Sequence, residues 1–222
     1  MCSSDLIGGS VVLRIPTAAS ISAGVGAGAS GNQCVFIGAG AGQSNSAAGN
    51  IGIGYNSLNA NTSSTGNVAV GLSALSLCTG ADNVAIGAAM TTSVTGDRNI
   101  AIGNIILNAN TTGTQNIAIG YTVLNNNTTG YDNTVVGNFN LINNTTGFYN
   151  SVFGFSNLGS NTTGLLNVAV GYSNYPSAST GSQNVAIGYQ SGRGGSGNFN
   201  VSIGNGCGGM ASSSNVAVGV SA

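Results

Sequence analysis

The chain has no histidine, tryptophan, lysine or glutamate, and only its three arginines and four aspartates carry a charge. Without histidine, no base is available to activate its many serine and threonine hydroxyls, which argues against a nucleophilic active site. The net charge of −1 gives no field that would attract nucleic acid or an acidic membrane surface. We therefore expect neither an enzyme nor a nucleic-acid-binding protein.

Metal, cofactor and membrane sites are not expected either. Asp82, Asp97 and Asp132 are scattered, whereas Ca²⁺ needs clustered oxygen ligands, so we interpret them as turn residues. The glycine-rich segments lack the Lys-Ser/Thr ending of a phosphate-binding loop. No apolar run reaches the roughly 18 residues of a membrane span. A surface with so few charges favours an extracellular, cell-surface or virion setting.

One five-residue motif repeats through most of the chain. Its clearest copy is Asn116-Ile-Ala-Ile-Gly120, and successive copies start 15 to 17 residues apart. The copies start at Cys34 (a degenerate first copy), Asn50, Asn67, Asn83, Asn99, Asn116, Asn133, Asn150, Asn167, Asn184, Asn200 and Asn215. So regular a period is typical of a repeat architecture.

The motif predicts a stack of short strands. Its β-branched residues alternate with smaller ones, as in a strand, and segments such as Tyr121–Leu124 are predicted to form a second, weaker strand. Asn-Thr-Thr-Gly, as at Asn110–Gly113, predicts a turn. Because every copy places the same residue at the same position, we predict an all-β, parallel β-solenoid (β-roll) of about twelve rungs over residues 34–222. Its position-one asparagines would form a hydrogen-bonded ladder.

The alternation also predicts which side chains enter the coil. Motif positions two and four, such as Ile117 and Ile119, are expected to point inward beside leucines such as Leu124. Position three is mostly alanine, as at Ala118. We interpret this alanine stripe as a close contact between subunits, with a solvent-facing strand as the alternative.

Residues 1–33 lie outside the period and form an N-terminal extension. Ala18–Gly31 is rich in Gly, Ala and Ser, which favours a flexible linker. Ser10–Pro16 is strand-like, so the alternative is a strand that docks on a neighbouring subunit. Such docking, together with a C-terminal rung at Asn215–Ala222 that has no evident cap, predicts end-to-end joining of subunits. The alternative is a fragment of a longer chain, whose further C-terminal part would cap the stack.

The Asn-Val-Ala-Ile-Gly motif resembles the head repeats of trimeric autotransporter adhesins, and related repeats in phage tail fibres and bacterial surface fibres. The resemblance covers residues 34–219. It implies a coiled β-roll, association of three chains, and adhesion to a glycan or host surface. This chain differs in its longer period and its added Asn-Thr-Thr-Gly turn.

Two residue types carry modification hypotheses. Asn-X-Ser/Thr sequons predict turn residues or, in an organism that glycosylates them, glycan sites; the candidates are Asn61, Asn110, Asn127, Asn144 and Asn161. The four cysteines are interpreted as buried thiols or, alternatively, as disulfides between subunits that would use Cys2, Cys34 and Cys207. Their spacing does not suggest a metal site.

These observations favour a structural, homo-oligomeric fibre subunit. The alternative is a solenoid that binds ice or a polysaccharide through its threonine-rich turns. An enzyme built on a β-helix would need clustered acidic or basic residues, which the sequence lacks.

Overall fold

The structure is a computed structural model. It describes residues 13–14, 20–28, 32–90, 94–175, 180–193, 197–208 and 212–221. The chain divides into two compact units, Met1–Gly103 and Asn104–Ala222. Each unit is built of β-strands and turns, and its described residues contain no helix.

Each copy of the motif forms one strand. In the first unit the strands are β1 (Leu13–Arg14), β2 (Ile21–Ala23), β3 (Val35–Ile37), β4 (Ile51–Ile53), β5 (Val68–Val70) and β6 (Val84–Ala89). Strand β7 (Ile100–Ile106) begins in the first unit and ends in the second. The second unit continues with β8 (Ile117–Val123), β9 (Thr134–Asn138), β10 (Ser151–Phe155), β11 (Val168–Tyr172), β12 (Val185–Tyr189), β13 (Val201–Asn205) and β14 (Val216–Val220).

The strands within each unit pair in parallel and in register. Strands β2 to β6 pair in chain order in the first unit, and β8 to β14 do so in the second. Equivalent motif residues face each other, so that Gly154 pairs with Gly171. The predicted parallel β-solenoid is therefore confirmed. The predicted second strand is not a separate element, because in β8 the segment after the glycine simply prolongs the first strand.

The extension before the first motif copy contributes to the stack. Ile21–Ala23, within the segment interpreted as a linker, pairs in parallel with β3. Leu13–Arg14, within the strand-like Ser10–Pro16, pairs antiparallel with β2 of the same chain. Strand β1 thus occupies the edge of β2 that a strand from another subunit would use. The first nine residues lie outside the described part of the chain.

Left-handed backbone residues close each coil. In the rung that contains β8, Gln115, Thr122 and Leu124 have φ of 58°, 52° and 48°. The closing glycine of each motif is required sterically as well: Gly154 has φ of 121°, and a Cβ there would overlap the carbonyl oxygen of Gly171. Such φ values are costly for residues with a Cβ. Their repetition brings the chain to the equivalent position of the next rung after 15 to 17 residues.

The side chains that line the interior of the coil come from the opposite side of the strand to the one predicted. Ala118 at position three is fully buried, whereas Ile117 and Ile119 are only half-buried and face outward. The predicted inward positions two and four are therefore wrong, and so is the alanine stripe as an outer contact. Side chains alternate along a strand, so position three shares its face with the buried Asn116 at position one. Leu124 lies inside, as predicted.

Candidate functional site

The outward side of the second unit's sheet is apolar. We define the outer apolar face by positions two and four of β8 to β13: Ile117, Ile119, Thr134, Val136, Ser151, Phe153, Val168, Val170, Val185, Ile187, Val201 and Ile203. Phe153, Val170 and Ile187 are exposed by 40%, 37% and 39% of their surface. No charged residue occupies these positions. The first unit carries its own equivalent positions on β3 to β6, where Ile37, Ile53 and Ile86 are exposed.

An aromatic column borders the outer apolar face. It consists of Tyr121, Phe139, Phe155, Tyr172 and Tyr189. Phe155 and Tyr172 stack with ring centroids 5.3 Å apart, and Tyr172 and Tyr189 stack at 5.2 Å. Phe139 makes edge-to-face contacts with Tyr121 at 5.3 Å and with Phe155 at 5.5 Å. In-register pairing sets the residue after the closing glycine beside its equivalent in the next rung, as with Tyr172 and Tyr189. In the rung of β9 that residue is Asn138, and the next residue, Phe139, supplies the ring.

A second aromatic cluster precedes the strands. Tyr131 stacks on Phe148 with centroids 4.6 Å apart, and Tyr149 meets both rings edge-on. Tyr149, Leu166 and Phe199 each stand one residue before a position-one asparagine and are exposed. Large apolar side chains therefore continue beyond the strand ends.

The position-one asparagines form a buried ladder in the structure. Asn150 illustrates it: its backbone N–H and its Nδ2 both donate to Asn133 Oδ1 at 3.0 Å, and its Oδ1 accepts from the Asn167 backbone N–H at 3.0 Å. Other ladder members are Asn50, Asn67, Asn83, Asn99, Asn116, Asn184, Asn200 and Asn215. Satisfied buried amides stabilise the stack and fix its register.

The sequon asparagines form a second interior ladder. Asn61, Asn110, Asn127, Asn144 and Asn161 are all fully buried. The Nδ2 of Asn144, for example, donates to Asn127 Oδ1 at 2.8 Å and to Gly147 O at 2.9 Å. A glycan attached at that nitrogen would replace these hydrogen bonds and would have no room in the coil. The folded stack is therefore incompatible with glycosylation at these five residues. The overlapping sequons at Asn126 and Asn143 do have exposed side chains.

A third asparagine column was not anticipated. Asn140, Asn157 and Asn174 are fully buried, and the backbone N–H of each later member donates to the Oδ1 of the one before, at 2.8 and 3.0 Å. Asn157 Nδ2 also donates to Gly171 O at 2.8 Å. The signal in the sequence was an asparagine recurring three residues after the closing glycine.

The described cysteines take the places of asparagines in three different columns. Cys34 occupies position one, Cys78 stands in the second ladder's column, and Cys207 stands in the third. All three are buried free thiols, and burial raises the pKa of the Cys78 thiol to about 11. Buried thiols at Cys34 and Cys207 do not reach a neighbouring subunit from the folded stack. Cys2 lies outside the described residues.

The two threonine columns of the turns differ in how they use their hydroxyls. The first threonine of each pair donates its hydroxyl to the next rung, as Thr128 Oγ1 does to Thr145 O at 2.9 Å. The second threonines, at Thr112, Thr129, Thr146 and Thr163, are exposed. This second column is exposed in all four turns and is therefore placed to meet a ligand.

The part of the chain that the structure describes contains no group of three or more His, Cys, Asp or Glu able to hold a metal ion. It also has no helix with the length and hydropathy of a membrane span. No protein-family model matches the sequence, and the searches of curated proteins and of solved structures likewise found no match.

Proposed function

We propose that the chain is a structural subunit of an extracellular or virion fibre, and that copies associate through the outer apolar face. The observation that carries this proposal is the exposure of β-branched and aromatic side chains on the sheet. The largest apolar patch on a soluble monomer is typically about 300–600 Å², and such a patch is often a functional surface.

The size of the face supports a second copy as its partner. Taking roughly 150–200 Å² for a fully exposed side chain of this size, the positions in the second unit expose about 500 Å² and those in the first about 350 Å². A standard interface buries roughly 800 Å² on each partner, so the outer apolar face of the second unit would supply a large part of such an interface. Every copy has the same spacing of about 4.8 Å between rungs, so side-chain rows of two copies match along their length.

The number of chains in the assembly is argued from the resemblance, and its location from the composition. The resemblance to trimeric adhesin heads favours three chains. The near absence of charge favours an extracellular, cell-surface or virion location, with adhesion to a glycan or host surface as a further role. End-to-end contacts would join such subunits into a fibre, and because β1 occupies the edge of β2, they require β1 to be displaced at that end.

Light scattering on the purified chain at micromolar concentration tests the association. Ile187→Lys places a charge on the outer apolar face and should convert the oligomer to a monomer, because an unpaired charge would be buried at the contact. Thr146→Lys places the same charge on an exposed turn and should leave the oligomer intact. A wild-type monomer, or equal effects of the two variants, would remove the proposal.

Electron microscopy tests the end-to-end contacts. Deleting residues 1–19 removes β1 and leaves β2 in place. Longer fibres are expected from this variant, since the edge of β2 is then open to another chain. Unchanged fibre length would exclude joining at this edge.

Binding of ice or a polysaccharide is the second candidate, and the exposed column of second threonines favours it. Replacing Thr129 and Thr146 with lysine should abolish inhibition of ice recrystallisation, or retention on an insoluble polysaccharide, if this column binds. Absence of both activities in the wild type would exclude this candidate.

A further inference from the structure

The exposed oxidisable side chains in the described part of the chain are tyrosines. The sequence contains no tryptophan or histidine, and Cys34, Cys78, Cys207 and Met90 are buried. Tyr55, Tyr121, Tyr149, Tyr172 and Tyr189 are exposed. An oxidant that meets the folded surface therefore meets phenol rings.

Tyr172 and Tyr189 form a matched pair among these tyrosines. They are register partners on β11 and β12, and their ring centroids lie 5.2 Å apart with planes 8° from parallel. Their exposed fractions are 45% and 48%. Because the two residues occupy equivalent places on adjacent parallel strands, the hydroxyl and the neighbouring ring carbons of one phenol lie alongside those of the other.

We propose that Tyr172 and Tyr189 are an oxidative cross-linking site, at which a peroxidase-type oxidant joins the two rings as dityrosine. Each phenol gives up one electron and one proton to become a phenoxyl radical. The two radicals form a carbon–carbon bond between the ring carbons ortho to the hydroxyls. Each of these carbons then passes its hydrogen, as a proton, to the phenol oxygen, which restores both aromatic rings. One hydrogen peroxide takes up the two electrons and two protons and becomes two waters, so the protein loses two hydrogens.

The bond would tie β11 to β12 across one rung. Two other common covalent cross-links cannot form in the described part of the chain. The sequence has no lysine for an isopeptide bond, and the three described cysteines are free thiols that lie in separate buried columns. The cross-link would restrict the unfolded chain as a disulfide does, and so would protect the strand pair from local unfolding. This inference does not depend on the proposed fibre role.

A second tyrosine pair provides an internal comparison. Tyr131 and Tyr149 have centroids 5.5 Å apart, but their planes are 78° from parallel and Tyr131 is stacked on Phe148. The edge of one ring points at the other, so their ortho carbons are not side by side. Cross-linking at Tyr172 and Tyr189 is therefore expected to dominate.

The test treats the full chain with a haem peroxidase and hydrogen peroxide, over a series of protein concentrations that extends to high dilution. The expected product is a single chain lighter by two hydrogens, with dityrosine fluorescence and with residues 172 and 189 linked in fragment mass spectra. Its yield per chain should be independent of protein concentration. Its denaturation midpoint should exceed that of the untreated chain.

Three variants distinguish this site from others. Tyr172→Phe and Tyr189→Phe keep a ring in the stack but remove a phenol, and each should lose the fluorescence. Tyr121→Phe is the matched control, since its ring neighbour is Phe139, and it should retain the full yield. Circular dichroism confirms that the variants are folded. The proposal is overturned if Tyr189→Phe retains the dityrosine, if the product appears only as linked pairs of chains, or if the oxidant adds oxygen to tyrosines without joining them.

Discussion

Replacing Asn150 with alanine removes four buried hydrogen bonds at once. Its Nδ2 donates to Asn133 Oδ1 and to Gly164 O, both at 3.0 Å, and its Oδ1 accepts from the backbone N–H and the Nδ2 of Asn167 at 3.0 and 3.1 Å. At a net value of ~1 kcal/mol each, the loss of stability should be roughly 4 kcal/mol. The backbone N–H of Asn167 also loses its acceptor in a site without solvent.

The assay combines guanidinium denaturation with hydrogen exchange, because solenoids can unfold by segments. The denaturation midpoint should fall, and exchange of the Asn167 amide should accelerate more than that of amides several rungs away. Asn126→Ala is the matched control: Asn126 is exposed, and surface substitutions usually change stability by less than about 0.5 kcal/mol. Equal losses in the two variants would refute the view that the buried ladder stabilises the stack.

The same position gives a pH prediction. Asn150→Asp puts an oxygen where Nδ2 now donates to two acceptors, so burial and these oxygens should raise the pKa of the new carboxyl in the folded state. A raised folded pKa means that the folded chain binds the proton more tightly than the unfolded chain does. The variant should therefore be most stable below about pH 4, the ordinary range of aspartate, and should lose stability as pH rises through the folded pKa. A stability that rises with pH would contradict this sign.

The remaining predictions concern backbone and side-chain orientation. Gly154→Ala should lower stability by more than about 1 kcal/mol, because φ is 121° and the Cβ would overlap a carbonyl oxygen; Gly159→Ala, where a Cβ meets nothing within 4 Å, should be neutral or slightly stabilising, and equal melting temperatures would contradict this. Ala118→Ile should cost roughly 1–3 kcal/mol by overpacking the coil, whereas Ile119→Thr, on the outer face of the same strand, should cost less in a monomer; the reverse order in denaturation midpoints would show that the strand faces are assigned wrongly.

The repeat made the fold predictable, but not the direction of its side chains. Equal spacing and identical residues at identical positions leave little except stacked parallel strands, and the Asn ladder follows from them. The orientation was misjudged because Ile117 and Ile119 were assigned to the core by hydrophobicity. Side chains two residues apart lie on the same side of a strand, so an interior Asn116 places Ala118 inside as well. A narrow coil closed by left-handed turns has room for alanine, leucine and asparagine, and the larger β-branched residues are left outside.

The sequons show a similar limit of local reasoning. Asn-Thr-Thr-Gly indicates a turn, and turns are usually exposed, so the glycan alternative at Asn127 and Asn144 required side chains at the surface. Their side chains instead turn inward, because each amide finds a carbonyl in its own turn and an amide in the adjacent rung. The spacing of these asparagines along the sequence does not show whether their amides form hydrogen bonds with water or with the ladder. The aromatic column was visible in the sequence only as aromatic residues recurring one residue after the closing glycine, or two residues after it at Phe139.

Rungs of different length differ in one corner only. Eleven residues separate Asn50 from Asn61 and Asn116 from Asn127, whereas five residues separate Asn45 from Asn50 and six separate Asn127 from Asn133. In the rungs whose second-ladder residue is described, the interior columns thus keep their spacing, and the difference in length lies between the second ladder and the next position-one residue. Within each unit, foreign peptides inserted at that corner would project along one edge of the coil, at intervals of about 4.8 Å or its multiples. The coil could in this sense serve as a display scaffold, in which the inserted peptides vary while the strands keep their register.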